Sequence, residues 1–125
     1  GPGSAGIPWA SRARRTILYA TSHTRRVFVP RVDFVSLAGH PDNGAADERA
    51  PSLVVTPLAV MDFALDGDMR LVSLHPGVTL EQLRDNTGFD LVLPEGEIAT
   101  TQTPSEVELS HMRSFDLDGL LSIVV

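Results

Sequence analysis

The sequence contains no cysteine and no lysine. The first absence excludes disulfides, thiolate metal sites and a cysteine nucleophile within this chain. The second excludes a Schiff-base lysine and any lysine-dependent phosphate loop. Aromatic residues make up only 6% of the chain, too few to interleave with basic residues as a nucleic-acid stacking surface requires. No apolar run approaches the roughly 18 residues of a membrane-spanning helix, and no signal-peptide pattern opens the chain. These absences lead to the expectation of a cytoplasmic protein that contacts neither membrane nor nucleic acid.

What is present begins with an uneven distribution of charge. Residues 1–31 carry six arginines (Arg12, Arg14, Arg15, Arg25, Arg26, Arg31) and no acid, while the rest holds four arginines against sixteen acids. A basic block in a chain of net charge −6 suits either pairing with carboxylates elsewhere or a site for phosphate-bearing ligands or a partner subunit. At 125 residues, 42% of them hydrophobic, the chain suits one domain or a portion of a larger one.

Strand-like runs dominate the pattern. "TILYAT" (16–21) is continuously apolar between polar flanks, as in a strand buried on both faces. "RRVFVPRVDFVSL" (25–37) is rich in β-formers but broken by Pro30, which predicts two short strands or an edge strand. Residues 38–52 form a long polar loop. "LVVTPLAVMDFA" (53–64) reads as strand, and Asp66-Gly67 marks a hairpin that folds "MRLVSLH" back on it. "FDLVLP" (89–94) reads as a further strand, and "LLSIVV" ends the chain as an apolar tail.

Two helices announce themselves through their caps. Pro76-Gly77 stops the strand before it, Thr79 and Gln82 form a capping box, and Val78 with Leu83 form a hydrophobic staple. Gly88 stands where a left-handed residue closes a helix. Thr103-Pro104-Ser105-Glu106 has the form of a second capping box with proline at N1, opening a helix to about Arg113. Buried strands, short helices and one antiparallel hairpin indicate an α/β fold: an open, mostly parallel mixed sheet with flanking helices.

The residues show no complete active site. The four histidines His23, His40, His75 and His111 lack the spacing of a helical metal motif, so no metal is expected. His23 follows a strand, where parallel sheets gather ligands; it serves either a site or the structure. His75 before Pro76-Gly77 reads as turn structure. Asp62 lies in an apolar strand and is expected to bond backbone at a sheet edge. No nucleophile elbow, Walker loop or dinucleotide fingerprint occurs.

The block "LVVTPLAVMDFALDGDMRLVSLHPGVTLEQLRDNTGFDLVL" resembles the C-terminal part of the β subunit of family I coenzyme A transferases. The likeness rests on Val55, Thr56, Leu58, Ala59, Val60 and Asp62, then on Leu71, Leu74, Gly77, Val78, Thr79, Glu81, Thr87 and Gly88. The segment from Ala10 to His40 is similar to the family's helix, strand and following loop. The chain is most similar to the glutaconate CoA-transferase branch, which includes CoA-ester ring-opening hydrolases and a glutaconyl-type decarboxylase.

The resemblance implies one half of a CoA-transferase-type subunit. Residues 1–125 would then be the C-terminal portion of a single α/β domain, with Gly1–Ser4 either native or left by a cleaved tag. It implies a hetero-oligomer with an α subunit and the N-terminal half of the β subunit, acting on a small, dicarboxylic or other acyl-CoA. Coenzyme A is substrate, and no resident cofactor is implied. In the family a glutamate attacks the thioester, giving an anhydride and then an enzyme-bound CoA thioester, while backbone amides hold the oxyanion. No glutamate precedes Glu48, so the nucleophile is not placed on this chain, which is not expected to be active alone. Ser4, Ala5 and Gly6 fall where the family has a small-residue loop near the acyl-CoA, and His23 matches a histidine after the strand. Arg14, Arg15, Arg25 and Arg26 are candidates to pair with CoA phosphates, a substrate carboxylate or the α subunit. A non-catalytic interaction domain of the same fold is the reading from another class.

Overall fold

The computed structural model of the chain describes residues 13–35 and 51–116. The expectations for Ser4, Ala5, Gly6, His40, most of the polar loop and the apolar tail lie outside the described residues.

Five strands form one open, mixed sheet in sequential order. They are β1 (Thr16–Tyr19), β2 (Pro51–Val55), β3 (Ala59–Phe63), β4 (Met69–Leu74) and β5 (Ala99–Thr100). β2, β3 and β4 make an antiparallel meander. The edge strands β1 and β5 are added to it parallel. The run 53–64, read as one strand, is two. Thr56 turns the chain: its hydroxyl takes the amides of Leu58 and Ala59 at 3.2 and 3.1 Å, a side-chain-closed turn that needs no glycine. The Asp66-Gly67 hairpin is present, with Gly67 at φ 91° and Ala59–Phe63 paired against Met69–Leu74.

Helix α1 (Leu80–Asn86) follows the Pro76-Gly77 stop, where Gly77 holds φ 81°. Both halves of its capping box are made: Thr79 Oγ1 accepts from the Gln82 amide at 3.1 Å and Gln82 Oε1 from the Thr79 amide at 2.9 Å. These bonds satisfy amides that a helix start leaves orphaned. The cap directs Leu83, fully buried, into a core of Phe28, Val54, Ala59, Met61, Leu71 and Leu74. Val78, the other half of the staple, packs on the same cluster. Burying a side chain of this size is worth about 1.5–3 kcal/mol, which stabilises a helix too short to persist alone.

Several local expectations are corrected. Gly88 is not left-handed; its amide donates to the Phe28 carbonyl at 2.7 Å. Glycine is required there by proximity, since a Cβ would sit 2.5 Å from that oxygen. Helix α2 (Glu106–Phe115) is capped by Ser105 with Glu108. Thr103 loses to Ser105 because serine also finds an acid three residues on, which leaves Pro104 before the cap. Residues 89–94 give one bridge, Arg70 to Val92, rather than a strand. Residues 25–35 form turns, with the Val27 and Phe28 amides donating to Thr24 O at 2.9 and 2.8 Å. Asp62 bonds a side chain instead of backbone: Arg70, its cross-strand partner, donates to both carboxylate oxygens. β1 forms as expected but is not buried on both faces: Ile17, Leu18 and Tyr19 are 51, 42 and 64% exposed, because β1 is an edge strand of the described sheet.

Candidate functional site

Three of the four buried polar residues among those described, His23, Thr56 and Thr87, meet at one place, while the fourth, Ser73, bonds Thr101. His23 lies four residues beyond β1, Thr56 at the β2–β3 turn and Thr87 at the C-terminal cap of α1. His23 Nδ1 is 2.9 Å from Thr56 Oγ1, and Nε2 is 3.0 Å from Thr87 Oγ1. The imidazole stacks on Phe28 with centroids 3.9 Å apart and planes 11° from parallel.

The partners assign the proton. The Thr87 hydroxyl donates to Leu83 O at 2.7 Å, so towards His23 it can only accept, and Nε2 carries the hydrogen. The Thr56 hydroxyl already accepts two amides. Its lone pairs are thus used, so towards Nδ1 it can only donate; its one hydrogen lies between Nδ1 at 2.9 Å and the Ala59 carbonyl at 3.2 Å, and the imidazole nitrogen is the nearer acceptor. The arrangement therefore holds the neutral imidazole, hydrogen-bonded at both ends. Burial acts in the same direction and lowers the His23 pKa from its ordinary value. His75 braces the same turn from the other side, donating from Nε2 to Thr56 O at 2.8 Å.

Thr87 also lies on an open cleft of about 550 Å³ whose walls include Arg25, Arg84, Gly88, Phe89 and Asp90. Arg25 Nε donates to the Asp85 carbonyl at 2.7 Å. This bond uses one of the exposed carbonyls of the last turn of α1, where cations are favoured. The remaining guanidinium donors of Arg25, with those of Arg84, make the cleft able to bind a carboxylate or phosphate. Phe89 contributes an apolar wall and contacts Phe28 at a centroid distance of 6.5 Å.

Of the residues singled out from sequence, the structure thus brings His23 and Arg25 to one region, linked through Thr87 and α1. Arg15 is placed elsewhere, donating to Ser52 Oγ at 3.2 Å. Among the described residues no group of histidines and carboxylates is arranged to hold a metal, and no helix is long and apolar enough to cross a membrane. The sequence marked Thr56 and Thr87 only as positions of the family likeness and did not single out Arg84; none of the three stood out as a site residue. Thr87 is the C-cap of α1, but only the fold reveals that it meets a histidine 64 residues away.

No family model matches the chain. It is 30% identical over 122 residues to the B subunit of 3-oxoadipate CoA-transferase of Pseudomonas knackmussii, covering 92% of this chain and 46% of that one. It is 37% identical over 116 residues to the cholesterol ring-cleaving hydrolase IpdB subunit of Rhodococcus jostii, covering 89% and 46%. Among solved structures, the decarboxylase AibA/AibB superposes with a TM-score of 0.80 at 25% identity, over 99% of this chain and 48% of that one. The chain spans about half the length of the relatives it matches. In sequence and in fold, it resembles the B subunits of coenzyme A transferases and their hydrolase and decarboxylase relatives.

Proposed function

We propose that this chain is a portion of a β subunit of a CoA-transferase-like enzyme acting on a small acyl-CoA thioester. The carrying observation is its similarity, over about nine-tenths of its length, to enzyme subunits named for CoA transfer and for ring-cleaving hydrolysis. A decarboxylase on a CoA ester is the near alternative, favoured by the superposition on AibA/AibB. The enzyme works as a hetero-oligomer in the cytoplasm, with an α subunit and the part of its own subunit that lies outside this match. Coenzyme A enters as substrate carrier and no resident cofactor is needed.

In this proposal Ser4, Ala5 and Gly6 lie beside the acyl-CoA. His23 contributes through Thr87, fixing the wall of the Arg25–Arg84 cleft, whose guanidinium groups take a phosphate or carboxylate of the ligand. The nucleophile belongs to another part of the assembly, so the chain alone is inactive.

The test is purification of the complete assembly, with mass spectrometry to identify its subunits. It is followed by assays of CoA transfer to an acid acceptor, of CO2 release and of CoA-ester hydrolysis. Inactivation by hydroxylamine or borohydride only in the presence of acyl-CoA is expected for a glutamyl-CoA intermediate. Turnover without such inactivation assigns the decarboxylase or hydrolase. A stable lone monomer that turns over no CoA ester in any assembly overturns the proposal in favour of an interaction domain.

A further inference from the structure

β1 has the sequence of an interior strand and the setting of an edge. Side chains alternate between faces along a strand, so exposure of the consecutive Ile17, Leu18 and Tyr19 at 51, 42 and 64% means that both faces are uncovered. Its inner edge pairs parallel with β2; among the described strands nothing pairs with its outer edge. Parallel pairs are normally covered on both faces, and natural edges carry charge, proline or a twist that blocks further pairing. Thr16–Tyr19 contains neither charge nor proline.

We infer that β1 is an interior strand of the complete subunit. Its outer edge would accept a strand, and its faces the packing, of the subunit segment that lies outside the stretch matched here. This rests on the proposed function only in taking the chain for part of such a subunit. The length supports that occupant, because the chain spans 46% of each of two related subunits. Charge disfavours a second copy. Two-fold pairing of β1 on itself would join two segments that each carry Arg14, Arg15, Arg25, Arg26 and Arg31, with no acid before Asp33. None of these arginines pairs with a carboxylate among the described residues. The occupant therefore presents carboxylates around an apolar strand.

The probes are the unmatched portions of the R. jostii and P. knackmussii subunits, each mixed with this chain. Size-exclusion chromatography reads complex formation, and amide hydrogen exchange reads residues 16–20. The expected result is a one-to-one complex with at least one probe, in which exchange at Ile17 and Tyr19 slows about tenfold or more. Ile17→Lys should abolish it, and Val72→Lys, on the half-exposed face of β4, should not. Val72→Lys also controls for the cost of any added lysine, and circular dichroism confirms that both variants fold. Three results overturn the inference: no complex with either probe, a complex in which β1 exchange is unchanged, or β1 protection by self-association alone. A complex without β1 protection would leave the enzyme proposal standing, whereas absence of CoA-ester turnover would leave the exchange result untouched.

Discussion

Gly88 and Phe28 approach so closely that the amide of one lies 2.7 Å from the carbonyl oxygen of the other, with no room for a side chain between them. The contact ties the end of α1 to the turn after β1. Gly88→Ala would put its methyl 2.5 Å from backbone that flexible side chains cannot relieve. We expect it to lower stability by about 1–3 kcal/mol, read as a fall in Tm. A variant that melts with the parent would show that the two segments separate at little cost.

The His23 network predicts a pH dependence of defined sign. The folded-state pKa is lowered, so the unfolded chain binds the proton more readily. Stability is then full above the ordinary histidine value of about 6.5 and is lost as pH falls below it. Protonation would also bring an Nδ1–H against the Thr56 hydroxyl, whose acceptors are already engaged. His23→Phe should remove this slope. Thr87→Val, which deprives Nε2–H of its acceptor, should cost about 1–3 kcal/mol, while Thr87→Ser should cost less. The proposal fails if NMR shows His23 titrating at the ordinary value, or if the acid slope survives in His23→Phe.

Helix α1 offers a comparison of packing with capping. Leu83→Ala leaves a cavity in the centre of the core and should cost about 2–5 kcal/mol. Thr79→Ala removes one cap bond and should cost about 0.5–2 kcal/mol. Denaturant unfolding with unchanged m-values would measure both, and the reverse order would mean that the helix is held by its ends.

Under the proposed function, the cleft makes a prediction for the assembled enzyme. If Arg25 and Arg84 take a phosphate or carboxylate of the acyl-CoA, Arg25→Gln and Arg84→Gln should each raise KM about tenfold with a smaller change in kcat. Unchanged KM in both variants would remove the cleft from the substrate path. The Asp62–Arg70 pair, which does not line the cleft, serves as the control: Asp62→Asn should leave KM alone.

The parts of this fold that could be read from sequence are those decided within a few residues. The Thr79–Gln82 box, the Val78–Leu83 staple and the Asp66-Gly67 hairpin are short-range chemistry, and the structure contains all three. The second helix was legible, but two overlapping boxes competed and the inner one, Ser105–Glu108, prevailed. Residues 25–35 misled because their β-formers are overruled by Pro30 and by Thr24, whose carbonyl closes the turn. Gly88 misled because glycine serves two purposes, a left-handed cap or a close approach, and only the neighbour across the fold distinguishes them. The site was the least legible part. His23 was visible as a candidate, but its two threonine partners and its neutral form arise from three segments that meet only in the folded chain.

The sequential strand order has a kinetic consequence. The meander from Pro51 to Leu74 joins its strands through short turns, whereas β1 reaches β2 across residues 20–50. Closing the short connections costs far less chain entropy. The central meander should therefore form the folding nucleus and recruit β1 afterwards. Met61→Ala should slow refolding, while Val27→Ala in the segment beyond β1 should leave the refolding rate unchanged. The piece that waits longest is thus the one whose apolar rim has no partner among the described strands; if β1 is the interior strand inferred above, it stays adhesive until that partner docks.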